Sequence, residues 1–570
     1  MAPCAVFFDA TRTRDPDTDR AFHRLRYEWD FGDERGEIWE HSGRAKNRAI
    51  GAIAGHVYEW PGDHVAVLVV TDPKGTASRR QVKISVADPD QVFPGKRTRC
   101  VSASGDFSGC PSGAETLHSS DFDGSLLDLD GRRTLFRRGE SFTFDRSIQL
   151  TDASRSGASI GVFGNGSEGA LVRARESAGI DAGNDWRVYG LRFEGHGLPL
   201  DRAAFSERNG VQRFTLLDVA VRGFGACLSF WSPTAPDAEV AVVDFSCRDF
   251  PDPGKGTQLF EDTERSFFQG LDLDRGELRH PADQSEFAHR SAFLNRKLIQ
   301  HSLYRGRAAN QSKNALQLRH CQPAPPWTRC RDGEVPGRYV LVSDNQFVEG
   351  GGPQGLTVVR VCDHAGCGGT PGDSQPVQDL IFERNLIQVD SRGPEDRLQS
   401  VFMLQGARVT IRNNLLDLQG WPGRDGLNIS MLAVMPPSNA ARDPADGFEF
   451  SHNTVYTGEG MPGSIILCNN GGGGSGHVCA NNLVYAPGLR GDRIPTRGIG
   501  WKHFGNRFAG ESENPFSGPP GRAQASLRDL SGFLPKRPCH SAAEAEVGAH
   551  ELGAHACNAS EPSPSAPAIR

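Results

Sequence analysis

Two neighbouring segments place cationic and imidazole side chains at alternating positions of predicted strands. In KNALQLRHC, residues 313–321, the alternation directs Leu316 and Leu318 into a core and Arg319 outward. One repeat earlier, the segment HRS is predicted to bring Arg290 beside Arg319. Stacked guanidinium groups need an anion, and a ligand carboxylate would satisfy both through paired hydrogen bonds. The outward set of the 313–321 strand is predicted to be Ala315, Gln317 and Arg319.

The same segments hold groups that can exchange protons near neutral pH. An arginine is a poor base because its pKa exceeds about 12, whereas an imidazole titrates near neutrality. A lysine beside arginines has a lowered pKa, so His289 or Lys313 is the favoured general base. His320 or Tyr304 is the candidate proton donor to a leaving group. Six residues of straight strand span about 20 Å, so Lys313 reaches Arg319 only where the strand bends.

Such groups need a repeated strand framework, and the sequence repeats. Short apolar segments recur around an asparagine, with Asn345 and Asn385 separated by 40 residues and Asn453 and Asn482 by 29. This period predicts an all-β chain that forms a right-handed parallel β-helix of about 10 to 13 rungs, with an amide ladder along one bend. His301 is predicted to lie over Asn345. Further ladder positions are predicted at Asn414, Asn506, Gly164, Gly190, Asp218, Asp244 and Gly270.

A smaller unit precedes the repeats. Segments 65–70 and 81–86 alternate and flank the turn DPKG, as in a small β-sandwich. The unit resembles the polycystic-kidney-disease (PKD) domain, which implies a spacer or glycan-contact module of secreted enzymes. The matching residues are Trp29, Asp30, Phe31, Gly32, Asp33, His56, Tyr58, Pro61, Gly62, Thr71 and Asp72.

The two units and their flanks define four regions. Residues 1–90 are predicted to be the PKD-like sandwich, and 91–135 a linker and cap over the first rung. Residues 136–557 are predicted to be the β-helix catalytic domain, since their first rungs and closing segment resemble those of secreted right-handed β-helices. Residues 558–570 have the composition of a disordered tail.

The motif order resembles the alginate-lyase type of β-helix polysaccharide lyase, within the wider pectate-lyase-like group. The residues that carry this resemblance are Leu316, Leu318, Arg319, His320, Asn345, Phe347 and Gly350. Arg290 stands where that family has lysine, and Cys321 where it has glycine, which favours a related but distinct group. The resemblance implies β-elimination at C5 of a uronate, with Arg290 and Arg319 stabilising the developing dianion.

Other residues near these motifs are candidates for binding. The candidate substrate-binding residues are His301, Tyr304, Arg305, Gln317, Asp344 and Glu349. The resemblance also raises calcium as a cofactor, because many β-helix lyases use it. The candidate calcium ligands, by oxygen type and parity, are Asp272, Asp274 and Glu277.

Three alternatives remain open at this level. Glu286 or Asp283 would neutralise the arginines as a surface ion pair. A glycoside hydrolase would need two carboxylates about 5 to 9.5 Å apart, drawn from Asp272, Asp274, Glu286 and Asp344. A non-catalytic adhesin would bind a glycan on the same repeats without cleaving it. The identity of the polysaccharide is open in every case.

The cysteines predict an oxidising compartment. Neighbour pairing leaves Cys4 single and gives six disulfides: Cys100–Cys110, Cys227–Cys247, Cys321–Cys330, Cys362–Cys367, Cys468–Cys479 and Cys539–Cys557. Zinc is the weaker interpretation because paired CxxC spacings are lacking. The sequence begins MAPCAVFFDA without a leader pattern, so the expectation is a secreted protein whose signal peptide was replaced by a start methionine.

Composition excludes some classes of partner. The net charge of −7 over 570 residues, with an isoelectric point near 6.2, argues against a nucleic-acid-binding protein. No apolar run approaches the roughly 20 residues that a membrane-spanning helix requires. The expected partner is an acidic polysaccharide bound by a monomer.

Overall fold

The computed structural model describes seventeen stretches of the chain. They are residues 1–127, 131–150, 152, 157–175, 178–195, 203–207, 210–230, 237–248, 257–278, 286–308, 313–320, 337–350, 355–363, 377–391, 396–421, 427–436 and 445–510.

The N-terminal unit is a sandwich of two small sheets. Strands β1 and β4 pair antiparallel, and the second sheet has the order β3-β2-β5-β6. The predicted hairpin is present, since β5 and β6 pair along their whole length. The bounds are β1 (Cys4–Asp9), α1 (Ala21–Arg24), β2 (Arg26–Asp30), β3 (Arg48–Ile50), β4 (Ile53–Tyr58), β5 (Gly62–Thr71) and β6 (Ala77–Val86).

The WDFGD turn of this unit, residues 29–33, is held by side-chain hydrogen bonds. Asp30 Oδ1 accepts from Gly32 N and from Asn47 Nδ2, each at 3.0 Å, and Trp29 Nε1 donates to Gly51 O at 2.9 Å. Gly32 has φ of +69°, and a Cβ there would lie 2.6 Å from Val65 O. Only glycine fits this position, which explains the WDFGD pattern.

A short connection joins the sandwich to the repeats. It contains α2 (Pro89–Val92), a 3₁₀ turn (Gly95–Arg97), β7 (Thr98–Ser102) and β8 (Glu115–His118). Strand β7 pairs in parallel with both β8 and the first strand of the coil, so the two strands extend the coil at its N-terminal end.

The remaining strands form a parallel β-helix, as predicted. Each rung contributes one strand to each of three faces, and successive rungs pair in parallel register. Long strands β18 and β21 bend and serve both the first and second faces.

The strand bounds follow the three faces. The first face has β9 (Arg133–Arg137), β12 (Ala158–Phe163), β15 (Trp186–Tyr189), β18 (Thr215–Arg222), β20 (Asp237–Ala238), β21 (Ala241–Arg248), β23 (Thr263–Gln269), β26 (Asn295–Gln300), β29 (Gly337–Ser343), β32 (Val377–Glu383), β35 (Ala407–Arg412), β38 (Glu449–Ser451), β41 (His477–Ala480) and β44 (Trp501–Phe504). The second face has β10 (Ser141–Phe144), β13 (Ala170–Ala174), β16 (Leu191–Gly195), β24 (Asp272–Leu278), β27 (Leu303–Ala308), β30 (Gln346–Gly350), β33 (Leu386–Asp390), β36 (Leu415–Gly420), β39 (Thr454–Thr457), β42 (Leu483–Tyr485) and β45 (Arg507–Ala509). The third face has β11 (Ile148–Gln149), β14 (Ile180–Asp181), β17 (Ala203–Ser206), β19 (Ala226–Phe230), β22 (Thr257–Glu261), β25 (Glu286–Ser291), β28 (Lys313–His320), β31 (Leu356–Asp363), β34 (Leu398–Leu404), β37 (Asn428–Val434), β40 (Ser464–Asn470) and β43 (Arg493–Gly498).

Buried asparagines form a ladder along the bend between the first and second faces. The side-chain amide of Asn345 donates to Asn385 Oδ1 at 3.1 Å, and Asn385 donates in the same way to Asn414 at 3.0 Å. The series continues through Asn453 and Asn482 to Asn506.

The ladder register corrects the prediction at its N-terminal end. Ser302, not His301, lies over Asn345, whose Oδ1 accepts from Ser302 N at 3.0 Å. Toward the N-terminus the ladder position passes to Leu271, which lies under Ser302. The residues predicted there occupy the preceding bend position instead, which requires positive φ. They are Gly164, Gly190, Asp218, Asp244 and Gly270.

The N-terminal sandwich packs directly on the first face of the coil. Outward apolar residues of successive rungs, including Leu217, Val243 and Phe267, share one buried cluster with the sandwich core. The ring of Phe267 lies where a Cβ on Gly55 would be, at 2.4 Å. The resemblance implied a spacer or glycan-contact module, but here the unit is an integral part of the packing.

Ion pairs flank this apolar contact. The junction includes Arg44–Asp344 at 2.7 Å, Lys46–Asp244 at 2.7 Å, Arg296–Asp9 at 2.7 Å and Arg24–Glu449 at 3.0 Å. His23 lies fully buried there, 3.0 Å from Thr410, and burial lowers its pKa to about 4.

Three of the predicted disulfides are formed: Cys100–Cys110, Cys227–Cys247 and Cys468–Cys479. Cys362 is also disulfide-bonded, while its predicted partner Cys367 lies outside the described residues. The predicted pairs Cys321–Cys330 and Cys539–Cys557, the closing segment and the tail also lie outside them. Cys4 is a free thiol. Among the described residues, no helix is long and apolar enough to cross a bilayer.

Candidate functional site

The outward side of the third face carries a patch of cationic and amide side chains on β25, β28 and β31. The strands pair so that Arg290, Gln317 and Arg360 form one row across three rungs. Adjacent rungs of a parallel sheet are about 4.8 Å apart, so the three side chains are direct neighbours. Arg319 follows two residues after Gln317 on the same side. We call Arg290, Asn314, Gln317, Arg319 and Arg360 the arginine patch.

A bend in β28 sets which residues reach this patch. Ala315, Leu316 and Leu318 all belong to the core cluster, so two successive residues point inward and the alternation breaks at Ala315. The prediction that Ala315 faces outward is therefore wrong. Gln317 and Arg319 lie on the outward side, as predicted, because the bend comes before them.

Arg290 sits between two aromatic rings and has no polar partner among the described residues. Its guanidinium carbon lies 5.3 Å from the ring centre of Phe260 and 5.4 Å from that of Phe287. These contacts orient the guanidinium plane without neutralising it. Its Nε is buried and has no hydrogen-bond partner within the described chain. Burial lowers the pKa of Arg290, which still leaves the group cationic at neutral pH.

The side-chain amide oxygens near Arg290 also lack hydrogen-bond partners among the described residues. Gln317 is 4% exposed and Asn314 is 4% exposed, yet Gln317 Oε1 and Asn314 Oδ1 lack hydrogen bonds to any described residue. Buried polar atoms are almost always paired in folded proteins, so such a group calls for an explanation. Among the described outward side chains of these three strands, none is a carboxylate.

His289 does not face the patch but lies inside the coil. It is fully buried, with Nε2 3.2 Å from Glu261 Oε1 and Nδ1 3.3 Å from the Tyr304 hydroxyl. Burial lowers its pKa, although Glu261 opposes this shift. A substrate on the outer face cannot reach this ring, so the structure does not support His289 as the base.

Lys297 completes the buried cluster around Glu261. Its ammonium group contacts Glu261 Oε2 and lies 2.7 Å from Ser291 Oγ and 3.2 Å from Thr263 Oγ1. Burial would raise the pKa of Glu261, but Lys297 and His289 together bring it down to about 2. The cluster is a satisfied interior ion pair that lies behind the strand of Arg290.

The proposed proton donors also lie inside. His320 is fully buried, and its Nδ1 accepts from Leu294 N at 3.2 Å. Tyr304 stacks on Phe347 with ring centres 4.8 Å apart, and burial raises its pKa. Neither group is available to a leaving oxygen on the outer face.

Other predicted binding residues lie away from the patch. His301 is stacked beneath Trp39 of the sandwich at 5.0 Å, and burial lowers its pKa to about 3. Asp344 is buried between Arg44 and Arg384, at 2.7 and 2.9 Å. Glu349 is fully buried and forms a two-pronged ion pair with Arg275.

The candidate calcium ligands are engaged by arginines. Arg305 lies 3.4 Å from Asp272 Oδ1 and 3.8 Å from Asp274 Oδ2, and Arg248 also contacts Asp272. The side chain of Glu277 lies outside the described residues. In the described part of the chain, no group of three His, Cys, Asp or Glu side chains is arranged to hold a metal.

Lys313 begins the strand that carries Gln317 and Arg319. Its backbone pairs with Glu286 on one side and Leu356 on the other. The side chains of Lys313 and Glu286 lie outside the description, as does Asp283.

Sequence reasoning missed Arg360 and Asn314. The segment LTVVRVCD carries Arg360 between valines, the same apolar–cation–apolar pattern that singled out Arg319. Extending the search one rung further would have found it. Asn314 was hidden because the assumed alternation did not include the bend at Ala315.

The comparisons with known proteins identify the sandwich but not the whole chain. Residues 2–86 match the PKD domain family, so the N-terminal unit is a PKD domain. No curated protein sequence matches the chain.

Solved structures with a related coil are distant in sequence. Two mutants of the tailspike protein of Escherichia coli bacteriophage HK620, each in complex with a pentasaccharide, have TM-scores of 0.42 and 0.43 at 10% and 9% identity. The matches cover 72% and 71% of this chain and 76% and 78% of the tailspike chains. An alginate lyase from Paenibacillus sp. str. FPU-7 has a TM-score of 0.29 at 12% identity, covering 71% of this chain and 98% of the lyase.

Proposed function

We propose that the protein is a secreted polysaccharide lyase that cleaves a uronate-containing polymer by β-elimination at the arginine patch. The observation that carries the proposal is Arg290, a guanidinium oriented by two rings and without a hydrogen-bonding anion among the described residues. Disulfides such as Cys227–Cys247 support an oxidising, extracellular setting.

The row of outward side chains matches what an acidic sugar polymer offers. Arg290 and Arg360 flank Gln317 on successive rungs, so a sugar carboxylate over the row meets guanidinium groups and an amide together. The sugar carboxylate would accept from Arg290 Nε, and a sugar hydroxyl would donate to Gln317 Oε1, two atoms without a hydrogen-bond partner among the described residues. A carboxylate bound by a guanidinium fork is held more firmly than by a point charge.

These cations also suit the chemistry of elimination. A base removes the proton at C5 of the uronate, the electron pair forms the C4–C5 double bond, and the C4–O bond breaks toward the leaving oxygen. The carboxylate carries a second negative charge as the proton leaves. Guanidinium groups fixed beforehand stabilise that charge without having to reorganise, which lowers the barrier.

Lys313 is the proposed base. His289, His320 and Tyr304 are enclosed by the coil, whereas Lys313 starts the strand of Gln317 and Arg319. Its neutral amine would accept the C5 proton. The ammonium group formed by proton removal can return its proton to the leaving oxygen, which balances the reaction.

Three of the four carboxylates considered for a hydrolase are engaged elsewhere, and the side chain of the fourth, Glu286, lies outside the described residues. Asp272 and Asp274 pair with Arg305, and Asp344 is buried under the PKD domain between two arginines. Ion-paired carboxylates with neutralised charge are poor candidates for an acid–base pair. The arginine patch therefore favours elimination over hydrolysis.

The test is to supply alginate, polygalacturonate, glucuronan and chondroitin separately and to follow the ultraviolet absorbance of the unsaturated product. We expect one polymer to give this absorbance, and Arg290→Gln to lower kcat/KM about 10²- to 10³-fold, as for loss of a transition-state hydrogen-bond donor. Arg290→Lys should recover only part of the rate. Lys313→Ala should lower kcat with little change in KM.

Arg173→Gln is the matched control, because Arg173 is an exposed arginine on the second face that pairs only loosely with Glu194, at 4.0 Å. It should cleave at the wild-type rate. Polymer shortening without the absorbance would replace elimination by hydrolysis. A normal rate for Arg290→Gln would remove the arginine patch as the site.

A further inference from the structure

A groove of about 780 Å³ lies between the PKD domain and the coil, away from the arginine patch. Its walls come from PKD residues 37–46 together with Glu59, and from β16, β18, β21 and the start of β24. The third face contributes none of the residues that line it. Its ligand is therefore independent of the lyase proposal.

Small side chains hollow out the floor of this interdomain groove. Ala220 and Ser246 are ladder partners on the second face, and Gly190 and Gly270 occupy the bend at either side. One bend away, Leu217 and Val243 are large and pack into the PKD domain. The two domains thus touch along the first face and separate where the outward side chains become small.

Unpaired charges line the groove. Asp244 accepts from Lys46 at 2.7 Å, and Asp272 pairs with Arg248. Asp218 and Glu59, in contrast, form no ion pair or hydrogen bond with any described residue. Arg192, whose backbone pairs with Ala220 on the groove floor, likewise forms no ion pair or hydrogen bond with any described residue. Within the described residues, Asp218, Glu59 and Arg192 therefore keep hydrogen-bonding capacity for a ligand.

The balance of charge around Glu59 is negative. Burial together with Glu37, Asp244 and Asp218 raises the pKa of Glu59 to about 7, and Lys46 only partly opposes this. Desolvation also raises the pKa of Asp218, with Asp244 adding to the shift and Arg138, Arg192 and Lys46 opposing it. A bound cation would relieve this repulsion, whereas a second anion would add to it.

We propose that the interdomain groove binds an amino-sugar oligosaccharide, with Asp218 and Glu59 accepting from its ammonium groups and Arg192 donating to its hydroxyls. A groove of about 780 Å³ suits a short run of sugar rings rather than a single ion. Mixed carboxylate and guanidinium walls suit ligands that carry many hydroxyl groups, which both donate and accept.

The experiment measures binding of glucosamine hexamer to the full chain by calorimetry, at a pH where the amine is protonated. N-acetylglucosamine hexamer is the neutral comparison, and hexalysine is the non-sugar cation. We expect the glucosamine hexamer to bind at least 10-fold more tightly than either of the other two.

Variants then locate the site. Asp218→Asn keeps the shape and removes one charge, so we expect a 10- to 100-fold weaker Kd, as for loss of a hydrogen bond to a charged group. Ser246→Trp fills the floor and should abolish binding. Asp145→Asn, an exposed acid away from the groove, and Arg290→Gln should both bind as wild type.

Equal affinity for the acetylated hexamer or for hexalysine would overturn the proposed ligand class. Unchanged binding by Asp218→Asn, or by a folded Ser246→Trp variant, would overturn the proposed site. Either result leaves the lyase assay unaffected, since that assay reads product formation by a different face of the coil.

Discussion

At the residue scale, the buried ion pair Lys297–Glu261 is predicted to stabilise the fold. Both side chains are 0% exposed. Lys297→Met leaves Glu261 as an uncompensated buried charge, so we expect the free energy of unfolding to fall by about 3 to 5 kcal/mol near pH 7. Urea unfolding measures this.

The pH dependence of that loss has a definite sign. In the wild type the pKa of Glu261 is lowered to about 2, so its stabilisation is present above about pH 4.3 and is lost as the pH falls toward 2. In the variant, burial without Lys297 raises this pKa, so protonation relieves the strain. The difference between the two proteins should therefore shrink from pH 7 to pH 4.

Lys502→Met is the control, because Lys502 is an exposed lysine on β44 of the same coil. It should change stability by less than about 0.5 kcal/mol at every pH. If the difference in free energy of unfolding between the wild type and Lys297→Met stayed constant with pH, the assigned charge state of Glu261 would be contradicted.

The same cluster shows why residue types alone misplaced His289. The sequence marks His289, Arg290 and Ser291 as consecutive polar residues, and nothing local says which of them faces inward. The partners that hold His289 inside, Glu261 and Lys297, come from neighbouring strands. The sequence predicts Arg290 beside Arg319, whereas the strand pairing places it beside Gln317, two residues earlier.

At the element scale, the asparagine ladder predicts a gradient of stability along the coil. Asn414 Oδ1 accepts from the backbone and side-chain amides of Asn385, both at 3.0 Å, and Asn414 Nδ2 donates to Asn453. Asn414→Ala leaves these buried amides unpaired, at about 1 to 3 kcal/mol for each group. We expect a loss of about 3 kcal/mol or more in the free energy of unfolding.

Asn506→Ala is the matched comparison within the same ladder. Asn506 accepts from Asn482 in the same way, but it is the last ladder residue of the described chain and is partly exposed. Water can replace its bonds, so we expect about 1 kcal/mol. Equal losses for the two variants would mean that the ladder bonds do not set local stability.

The ladder was visible in the sequence from Asn345 onward because each rung repeats the same amide. Toward the N-terminus the ladder position is taken by Leu271 and Phe245, which leave no such mark. The sequence predicts Asp244 and Gly270 as ladder residues, but they occupy the bend position before the ladder. That position needs positive φ, which favours glycine, asparagine and aspartate. Two constraints one residue apart select overlapping residue types.

At the scale of the whole molecule, the PKD domain and the coil share one buried apolar cluster. The family pattern in residues 2–86 predicted the sandwich fold, but it holds no information about docking. Docking depends on Leu217, Val243 and Phe267, which the coil presents outward at intervals set by its rungs. Such spacing becomes readable only when the register of the coil is known.

Gly55→Leu tests this coupling. Gly55 is buried on β4, and a Cβ there would lie 2.4 Å from the Phe267 ring, so leucine forces the domains apart at the centre of their contact. We expect the single thermal transition of the wild type to split in two, with the PKD domain becoming sensitive to protease. Ser78→Leu, on the exposed edge strand β6, should keep one transition.

Because PKD residues form one wall of the interdomain groove, the split should also weaken glucosamine-hexamer binding while elimination at the arginine patch continues. Loss of both activities together would instead mean that docking holds the third face in shape.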